Sequence, residues 1–301
     1  MKKVSICLCA YNGEKYIKEQ LDSILNQTYD IDEVVIIDDC SNDSTVEIIE
    51  NFISANNLSN WKLHINNKNV GWKKNFINSF NFSSSDIIFC CDQDDIWFNN
   101  KIEAMVNVIE QNTNIDVLAC NLLPLYENGS KKIANFYIKK YKKDILERVK
   151  FKNFEIIRPG CTMCFKRELL PLINKLWYDN LAHDSLIYFL ATLNNSMYIL
   201  NKTLMKFRRH VSNNSPENTK SHLKRAKNIK YEIDLCELFL KNSDCIDIKY
   251  SKKIKKIHSS LVKRYNYLIN KSSLKILLSF HLYVNFGIKK WLSDLYSSFR
   301  K

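Results

Sequence analysis

The chain has 301 residues, of which 46% are hydrophobic and 26% are charged, so it can bury a core and is not disordered by composition. Glycine (5 residues) and proline (4 residues) are scarce, which argues against a many-turned β-sandwich and favours helices with a few strands. No run approaches the length of uninterrupted apolar residues that a membrane-spanning helix needs, so the sequence predicts none.

The positive charge is concentrated at one end of the chain. The net charge is +13, and residues 220–301 contain 19 Lys and Arg against 6 Asp and Glu, a surplus of 13. The preceding residues are therefore neutral overall. This change in composition predicts two regions, residues 1–219 and a basic, helical C-terminal region of residues 220–301.

Apolar strands alternate with helical patterns from the N-terminus onward. The predicted elements are strand 4–9, helix 14–27, strand 33–37, helix 44–55, strand 61–65, helix 73–82, strand 86–91, helix 99–112 and strand 115–120. Unbroken apolar strands in such an alternation are typical of a parallel sheet that helices cover on both faces. The sequence therefore predicts an α/β fold.

Polar residues follow three of these strands. The stretches are Ala10-Tyr11-Asn12, Asp38-Asp39 and Asp92-Gln93-Asp94-Asp95. Open α/β sheets bind ligands outside the carboxyl ends of their strands, so we expect one site where these loops meet. The glycine-rich loops that cradle phosphates on backbone N–H groups are absent after the first strand and elsewhere in the sequence.

The third stretch crowds the carboxylates of Asp92, Asp94 and Asp95 into four positions. Ionised carboxylates this close repel one another, and their burial is costly unless something compensates. A hard divalent cation would stabilise them, because it prefers oxygen ligands. The alternative is a solvated acidic turn, and the convergence of polar stretches favours a site. Trp97 is predicted to pack behind this loop.

Four ordered stretches resemble one known family. They are residues 9–28, 33–45, 69–71 and 92–97, the last reading Asp-Gln-Asp-Asp-Ile-Trp. Together they resemble a family 2 glycosyltransferase of the GT-A fold, and the last stretch resembles bacterial rhamnosyltransferase-like members that build surface polysaccharides. The resemblance covers residues 1–125, returns at 160–165, 183–184 and 208–214, and does not reach the basic C-terminal region.

The resemblance implies that the strand ends bind a nucleotide-sugar donor, a dTDP- or UDP-sugar. Asp92 and Asp94 match the D-x-D pair that binds the ribose and the metal-bridged diphosphate, and a late histidine, His210, would join them in holding Mn²⁺ or Mg²⁺. Asp39, with Asp38, would contact the nucleobase of the donor. The residues implied to bind the nucleotide-sugar are Ala10, Tyr11, Asn12, Glu14, Asp38, Asp39, Asn69, Gly71, Asn75, Asp92, Gln93 and Asp94.

The resemblance also implies an inverting transfer, in which a base takes the proton of the acceptor hydroxyl. Asp184 matches that base, although His183 precedes it where Glu would be expected. The alternative for Asp184 is the N-cap of a helix over residues 185–193. The Gln-x-x-Arg-Trp signature of processive members is absent, which implies transfer of a single sugar. Arg208 would either pair with phosphate oxygens or remain solvated.

The basic C-terminal region has apolar residues at helical spacings between lysine runs such as Lys252-Lys253-Ile254-Lys255-Lys256. Basic amphipathic helices bind anionic membrane surfaces, which suits the lipid-linked acceptor that the resemblance implies. The alternative is a helical bundle with a solvated basic face. Nucleic acid is not an expected partner, because no nucleic-acid module is recognised. We expect the chain in the cytoplasm, peripheral on the inner face of the plasma membrane.

Two other functions fit parts of the pattern. One is a sugar-phosphate nucleotidyltransferase, which normally has a glycine-rich first turn with a basic residue, a feature that residues 10–14 lack. The other is a non-catalytic, membrane-bound scaffold of the same fold. A scaffold would not need all four of Asp39, Asp92, Asp94 and Asp184.

Overall fold

A computed structural model of the chain describes residues 1–130, 145–211 and 222–299. The chain divides into two compact units, Met1–Val149 with Ile156–Asn213, and Lys150–Glu155 with Asn214–Lys301. The boundary predicted at residues 219–220 lies outside the described residues. The short segment Lys150–Glu155 belongs to the C-terminal unit, which composition alone did not indicate.

The described strands of the first unit form one mixed sheet in the order β3-β2-β1-β4-β8-β6-β9-β5, with β7 also paired to β9. The strands are β1 (Val4–Ala10), β2 (Glu33–Asp38), β3 (Trp61–Ile65), β4 (Ile87–Asp92), β5 (Ile96–Trp97), β6 (Val117–Tyr126), β7 (Leu146–Arg148), β8 (Met163–Lys166) and β9 (Met197–Arg209). The first four run parallel, whereas β8 is antiparallel to β4 and β6. The predicted α/β class is confirmed.

Helices connect the strands of this unit. They are α1 (Ile17–Leu25), α2 (Thr45–Ala55), α3 (Trp72–Phe82), α4 (Lys101–Gln111), α5 (Leu170–Leu176) and α6 (His183–Leu193). The apolar periodicity of the sequence predicted helices α1 to α4 correctly in type and place, because each of these helices buries apolar residues at helical spacing. α6 differs, since every residue from Ser185 to Leu193 is buried.

The register of the parallel strands brings the polar loops together. Ala10 at the end of β1 pairs with Asp38 of β2, and Cys9 pairs with Asp92 of β4. All seven residues of β1 are buried, which agrees with a central strand covered on both faces. The loops after β1, β2 and β4 therefore leave the sheet side by side, as the sequence predicted.

Strand β9 was not predicted from the sequence. It has 13 residues and pairs parallel with β6, with register shifts near Asn121, and antiparallel with β5. The pairing of Ile96 with Lys206 lays the end of β9 beside the acidic loop. Arg208, near the end of this long strand, is thereby placed next to residues more than a hundred positions earlier in the chain.

The second unit is helical in its described part. Its helices are α7 (His222–Lys241), α8 (Ser251–Ile269), α9 (Ser273–Leu278) and α10 (Ile288–Phe299). Ile254 and Ile257 of α8 are fully buried, and Phe154 of the short early segment stacks on Phe239 of α7 at 6.0 Å between ring centroids. No helix in the described parts of the chain combines the length and apolarity that crossing a membrane requires.

A buried ionic cluster ties α10 to the other helices of this unit. The fully buried carboxylate of Asp294 accepts hydrogen bonds from Arg264 Nε (3.1 Å) and Nη2 (2.9 Å) and from the hydroxyl of Tyr283 (2.8 Å). Arg225 of α7 donates through Nε (3.0 Å) and Nη2 to the other carboxylate oxygen. Because the carboxylate, both guanidinium groups and the hydroxyl are hydrogen-bonded to one another, the cluster is tolerated inside the unit.

Replacing Asp294 tests this cluster. In Asp294→Ala, two guanidinium groups lose their carboxylate, and we expect a loss of about 3 kcal/mol in unfolding free energy, because breaking a buried pair leaves an uncompensated charge. The matched control is Asp234→Ala, which removes a half-exposed ion pair with Lys230 and should cost less than about 0.5 kcal/mol. Denaturant unfolding followed by circular dichroism measures both, and equal midpoints for the two variants would contradict the prediction.

Candidate active site

The loop after β4 is fastened to the loop after β1 by Gln93. Its side-chain Oε1 accepts a hydrogen bond from the backbone N–H of Tyr11 (2.8 Å), and its Nε2 donates to the Tyr11 carbonyl (3.0 Å). A Cβ atom on Gly13 would lie 2.2 Å from Gln93 Oε1, so glycine is what permits this approach. Gln93 thus fixes the acidic loop, and the side chain of Tyr11 stays half-exposed at the edge.

The loops after β1 and β2 are joined in the same way. Asn12 has a left-handed backbone (φ 47°), and its Oδ1 accepts a hydrogen bond from the N–H of Asn42 (3.0 Å). The carboxylate of Glu14 accepts from the N–H of Ser44 (3.0 Å) at the start of α2. Ala10 is buried, and its carbonyl accepts from the N–H of Asp39 (2.8 Å). The predicted residues of these two loops therefore hold the loops together at the edge where the parallel strands end.

Asp38 and Asp39, which were predicted to contact the base, are both buried. Asp38 accepts hydrogen bonds from the N–H and the hydroxyl of Ser41, which closes the turn after β2. Asp39 accepts from the N–H groups of Val70 and Gly71, each at 2.8 Å. Both carboxylates therefore have a structural function in this conformation, and their contact with the nucleobase of the donor stays a prediction.

Asn66 is a residue that the sequence analysis missed. Its Nδ2 donates both to Asp39 Oδ1 (2.8 Å) and to Asn75 Oδ1 (2.9 Å). Asn75 is itself buried in α3 and donates to the carbonyl of Ile37 (3.0 Å) in β2. Asn75 therefore holds α3 against the sheet, and no local pattern in the sequence distinguishes Asn66 from its neighbours.

The turn before α3 requires glycine. Gly71 has φ 85° at the N-terminus of α3, a value that residues with a Cβ rarely adopt. The exposed Asn69 accepts a hydrogen bond from the Gly71 N–H through its side chain (3.0 Å). Together with Asp39, this sets the path of the chain along the site edge.

The three carboxylates of the acidic loop have different surroundings. Asp92, the last residue of β4, is half-buried, and burial together with the charges of Asp94 and Asp184 raises its pKa to about 7. Asp95 is fully buried, and burial and the charges of Asp94 and Asp92 raise its pKa well above the ordinary range. The loop is therefore not a solvated acidic turn. Its crowded negative charge is unfavourable unless something positive compensates.

His210 contacts the acidic loop from beyond the end of β9. Its Nε2 lies 2.8 Å from Asp94 Oδ2, across 116 positions of sequence. The imidazole stacks on the ring of Tyr16 at 4.6 Å between centroids, and the Tyr16 hydroxyl donates to Glu127 (2.7 Å). The two residues that the sequence paired only by resemblance are thus neighbours in space, and Tyr16 orients the imidazole.

Arg208 is neither solvated nor available to phosphate oxygens in this conformation. Its backbone N–H donates to Asp95 Oδ1 (3.0 Å), and its Nε donates to the Asp94 carbonyl (2.8 Å). The remaining guanidinium nitrogens pair with Glu127 and Glu19. Arg208 therefore places a positive charge beside the acidic loop and holds the loop to β9.

A second cation lies behind the same loop. Lys101, the first residue of α4, is fully buried, and its Nζ donates to the Cys161 carbonyl (2.9 Å) and lies 3.6 Å from the ring centroid of Trp97. Trp97 belongs to the hydrophobic core, which confirms its predicted packing role. The positive charge of Lys101 offsets part of the rise in the pKa of Asp92.

Asp184 approaches the loop from α6. It lies in the first turn of that helix, whose N-cap is Ala182, so the N-cap interpretation of Asp184 is wrong. Burial raises its pKa, and N–H donors from Ser185 (2.7 Å to Oδ1) and Gly160 offset part of the rise. A Cβ atom on Gly160 would lie 3.0 Å from the Asp184 Cβ, which makes this contact tight.

The donor set fits a hard divalent cation. Asp92, Asp94 and His210 offer carboxylate oxygens and an imidazole nitrogen at the crowded end of β4, where added positive charge would favour the ionised carboxylates. Within the described part of the chain, the three residues that bring ligand atoms within 4.8 Å of one another are Asp92, Asp95 and Cys161, whereas Asp94 and His210 contact each other. Burial raises the pKa of the Cys161 thiol, which stays protonated and soft, so the carboxylates are the better ligands.

Sequence comparison agrees with this arrangement. The profile of glycosyl transferase family 2 matches residues 5–170. The chain belongs to glycosyl transferase family 2. It is 33% identical over 219 residues to dTDP-rhamnosyl transferase RfbG of Shigella flexneri, covering 68% of this chain and 72% of that protein. It is 27% identical over 262 residues to glycosyltransferase GlyG of Streptococcus pneumoniae, covering 81% and 80%.

Solved structures share the fold of this family 2 chain. TarS 1–349 of S. aureus in complex with UDP-GlcNAc has a TM-score of 0.65 at 20% identity, covering 97% of this chain and 81% of that one. Mannosyltransferase PcManGT of Pyrobaculum calidifontis, in complex with GDP-Man and Mn²⁺, has a TM-score of 0.59 at 14% identity, covering 99% and 84%. The GT-A fold and the rhamnosyltransferase-like glycosyltransferase predicted by resemblance are confirmed. The nucleotidyltransferase alternative is wrong.

His183, beside Asp184, is a buried histidine in an aromatic cage. Its ring stacks on Phe76 at 3.9 Å and meets the edges of Trp72 and Phe80. Neither ring nitrogen has a hydrogen-bond partner among the described residues, and burial lowers the pKa of His183 to about 3. The imidazole is therefore neutral in the fold at every pH at which the family 2 chain would be assayed.

We expect this histidine to make stability depend on pH. Since the folded pKa lies below the unfolded value, the unfolded chain binds the extra proton, and stability falls as pH falls below about 6.5. Relative to His183→Phe, the native chain should lose about 1 kcal/mol between pH 7.5 and 5.5. Denaturant midpoints of both proteins at both pH values measure this.

The carboxylates of Asp92, Asp95 and Asp184 act in the opposite sense, because their raised folded pKa values favour the folded state as pH falls. These carboxylates are present in both proteins, so their contributions cancel in the difference in unfolding free energy between the native chain and His183→Phe. A stability difference between the native chain and His183→Phe that is the same at both pH values would contradict a buried, neutral His183.

Proposed function

We propose that this glycosyltransferase moves a single sugar, with inversion, from a nucleoside diphosphate donor to a lipid-linked saccharide acceptor in the synthesis of a bacterial surface polysaccharide such as O-antigen or capsule. The observation that carries the proposal is the meeting of Asp94 with His210 beside Asp92, with Asp184 close enough that its charge raises the pKa of Asp92. The proposal therefore assigns the stabilisation of the leaving group to the acidic end of β4, and the function of the base to α6.

Donor chemistry is supported by the relatives. The named activity of RfbG is dTDP-rhamnosyl transfer, and TarS binds UDP and UDP-GlcNAc in its solved complexes. We therefore favour a dTDP-sugar, with rhamnose as the first candidate, and a UDP-sugar as the second. Tyr11, whose half-exposed ring stands at the β1 edge, offers an aromatic face to the nucleobase.

Asp184 would act as the base. The acceptor hydroxyl oxygen bonds to the anomeric carbon, the bond from that carbon to the diphosphate oxygen breaks, and the hydroxyl proton passes to the Asp184 carboxylate. A pKa raised by burial makes this carboxylate a stronger proton acceptor than a solvated one. Its hydrogen bonds from Ser185 and Gly160 hold it at a fixed position.

Asp92, Asp94 and His210 would hold Mn²⁺ or Mg²⁺. When bound, the cation supplies a Lewis acid that neutralises the charge growing on the leaving diphosphate. The stack of Tyr16 on His210 and the contacts of Arg208 with the acidic loop keep these ligands in place before the donor arrives. Asp95 would support the loop without contacting the donor, because it is fully buried.

The base assignment is tested with Asp184→Asn, which keeps the size of the side chain and removes its basicity. We expect turnover to fall about 10²–10⁴-fold, while the dissociation constant of the donor changes little. Donor hydrolysis, measured over a panel of nucleotide-sugars with Mn²⁺, and isothermal titration with the best donor separate the two effects. A variant that keeps full turnover would remove Asp184 from the mechanism.

The metal assignment is tested with Asp94→Asn. We expect binding of Mn²⁺, followed by electron paramagnetic resonance without donor, to weaken by at least about tenfold, because a carboxylate ligand is lost. Asp22→Asn, on the exposed face of α1, is the matched control and should bind Mn²⁺ like the native chain.

The outcome also separates an enzyme from a scaffold. The non-catalytic scaffold would be favoured if the native chain bound no donor and no divalent cation, and if Asp94→Asn gave the same results as the native chain. Turnover of one donor in the panel that Asp94→Asn abolishes supports the proposed glycosyltransferase reaction and identifies the nucleobase at the same time.

A further inference from the structure

Helix α10 of the second unit is built with its polar side inward. Asp294, Ser297 and Ser298 are buried, whereas four large apolar side chains of α10 point outward, together with Lys289. The four apolar residues are Ile288, Leu292, Tyr296 and Phe299, each more than half exposed. Their spacing of four, four and three residues puts them on one stripe of the helix. A solvated surface helix has the opposite arrangement.

The buried ionic cluster fixes this orientation. Rotating α10 to hide its apolar stripe would expose Asp294 and leave the charges of Arg225 and Arg264 unpaired inside the unit. Breaking such a pair is strongly destabilising, because it leaves an uncompensated charge inside the unit. The Trp291 Nε1, which donates to the Ile276 carbonyl of α9 (2.9 Å), adds a second restraint. The outward stripe is therefore a fixed feature of the fold.

Adjoining segments extend the apolar surface. Leu274, Leu277 and Leu278 of α9, with Phe280 and Val284 after it, are exposed, and Val284 and Leu278 are 79% and 73% exposed. Phe280 packs edge-on against Trp291 at 5.3 Å, which joins these segments to α10. We call these five residues and the four of the stripe the apolar face. Monomeric proteins rarely leave so many neighbouring large apolar side chains in water.

The exposed charged side chains within residues 271–299 have one sign. Lys271, Lys275 and Lys289 are exposed within the same stretch. Among residues 271–299, the one carboxylate in the sequence is Asp294, and it is buried and paired. Exposed lysines around apolar side chains, with no exposed carboxylate between them, match an anionic lipid surface, since the apolar groups enter the headgroup region and the lysines meet lipid phosphates.

We propose that the apolar face of residues 274–299 docks onto a membrane surface that contains anionic lipids. A second copy of the chain fits less well, because a two-fold contact of this face with itself would bring lysine against lysine. The proposal goes beyond sugar transfer and stands whether or not the proposed reaction is right. It also moves the membrane contact away from the lysine run at 252–256, where Ile254 and Ile257 are buried within the unit and Lys253 donates to the Phe151 carbonyl.

Vesicle co-sedimentation of the full chain tests the proposal. The vesicles contain phosphatidylcholine alone or with about one third phosphatidylglycerol, at low and at physiological salt. The first variant is Leu278→Asp with Leu292→Asp, and its matched control is Ile248→Asp, an apolar residue that is 83% exposed outside the face. The second is Lys275→Ser with Lys289→Ser, matched by Lys255→Ser with Lys256→Ser in α8.

We expect the native chain to bind the anionic vesicles at least about tenfold more tightly than the neutral ones. The double aspartate variant should lose this binding, and the Lys275/Lys289 variant should weaken it about fivefold per lysine removed. Both control variants should bind like the native chain. Because the changed side chains are exposed, melting temperatures should stay near the native value, and donor hydrolysis without vesicles should not change.

Two results would overturn the proposal. One is equal vesicle binding by the native chain and the double aspartate variant. The other is a native dimer, seen by light scattering, that the double aspartate variant abolishes while the native chain ignores vesicles, which would identify a second copy as the occupant. Loss of donor hydrolysis in Asp184→Asn has no bearing on either result, so failure of the docking surface and failure of the proposed reaction are distinguishable.

Discussion

The first unit depends on how it tolerates crowded negative charge at the end of β4. Asp92, Asp94 and Asp95 lie at one strand end, and burial makes their mutual repulsion stronger than it would be in water. Arg208 and Lys101 bring positive charge to the loop. The divalent cation of the proposed reaction would offset the remaining repulsion.

The two units use buried charge for a similar purpose. Arg208 holds the acidic loop against β9, and Asp294 holds α10 with its apolar stripe outward. A buried ion pair adds little net stability compared with apolar packing, but it makes wrong orientations costly. In each unit, the charged group therefore selects the orientation of a surface with a proposed function: the proposed cation-binding edge in one, and the proposed docking face in the other.

The predicted site residues divide into two groups according to their contacts. Asp38, Asp39 and Asn75 are buried, and their polar atoms are engaged with neighbouring loops and strands. Asp94 and Asp184, by contrast, stand at the edge, where a ligand can reach them. Many polar residues at strand ends thus give the loops their shape, and a smaller number remain for the proposed chemistry.

The sequence by itself determined the parallel strands, their helices and the edge where the loops meet, because apolar periodicity and strand-end residues are local properties. Only the tertiary structure decided what depends on distant parts of the chain. The contact of His210 with Asp94 spans 116 positions, and that of Arg208 with Glu19 spans 189. The orientation of α10 follows in the same way from a buried ion cluster, which no pattern within the helix reveals.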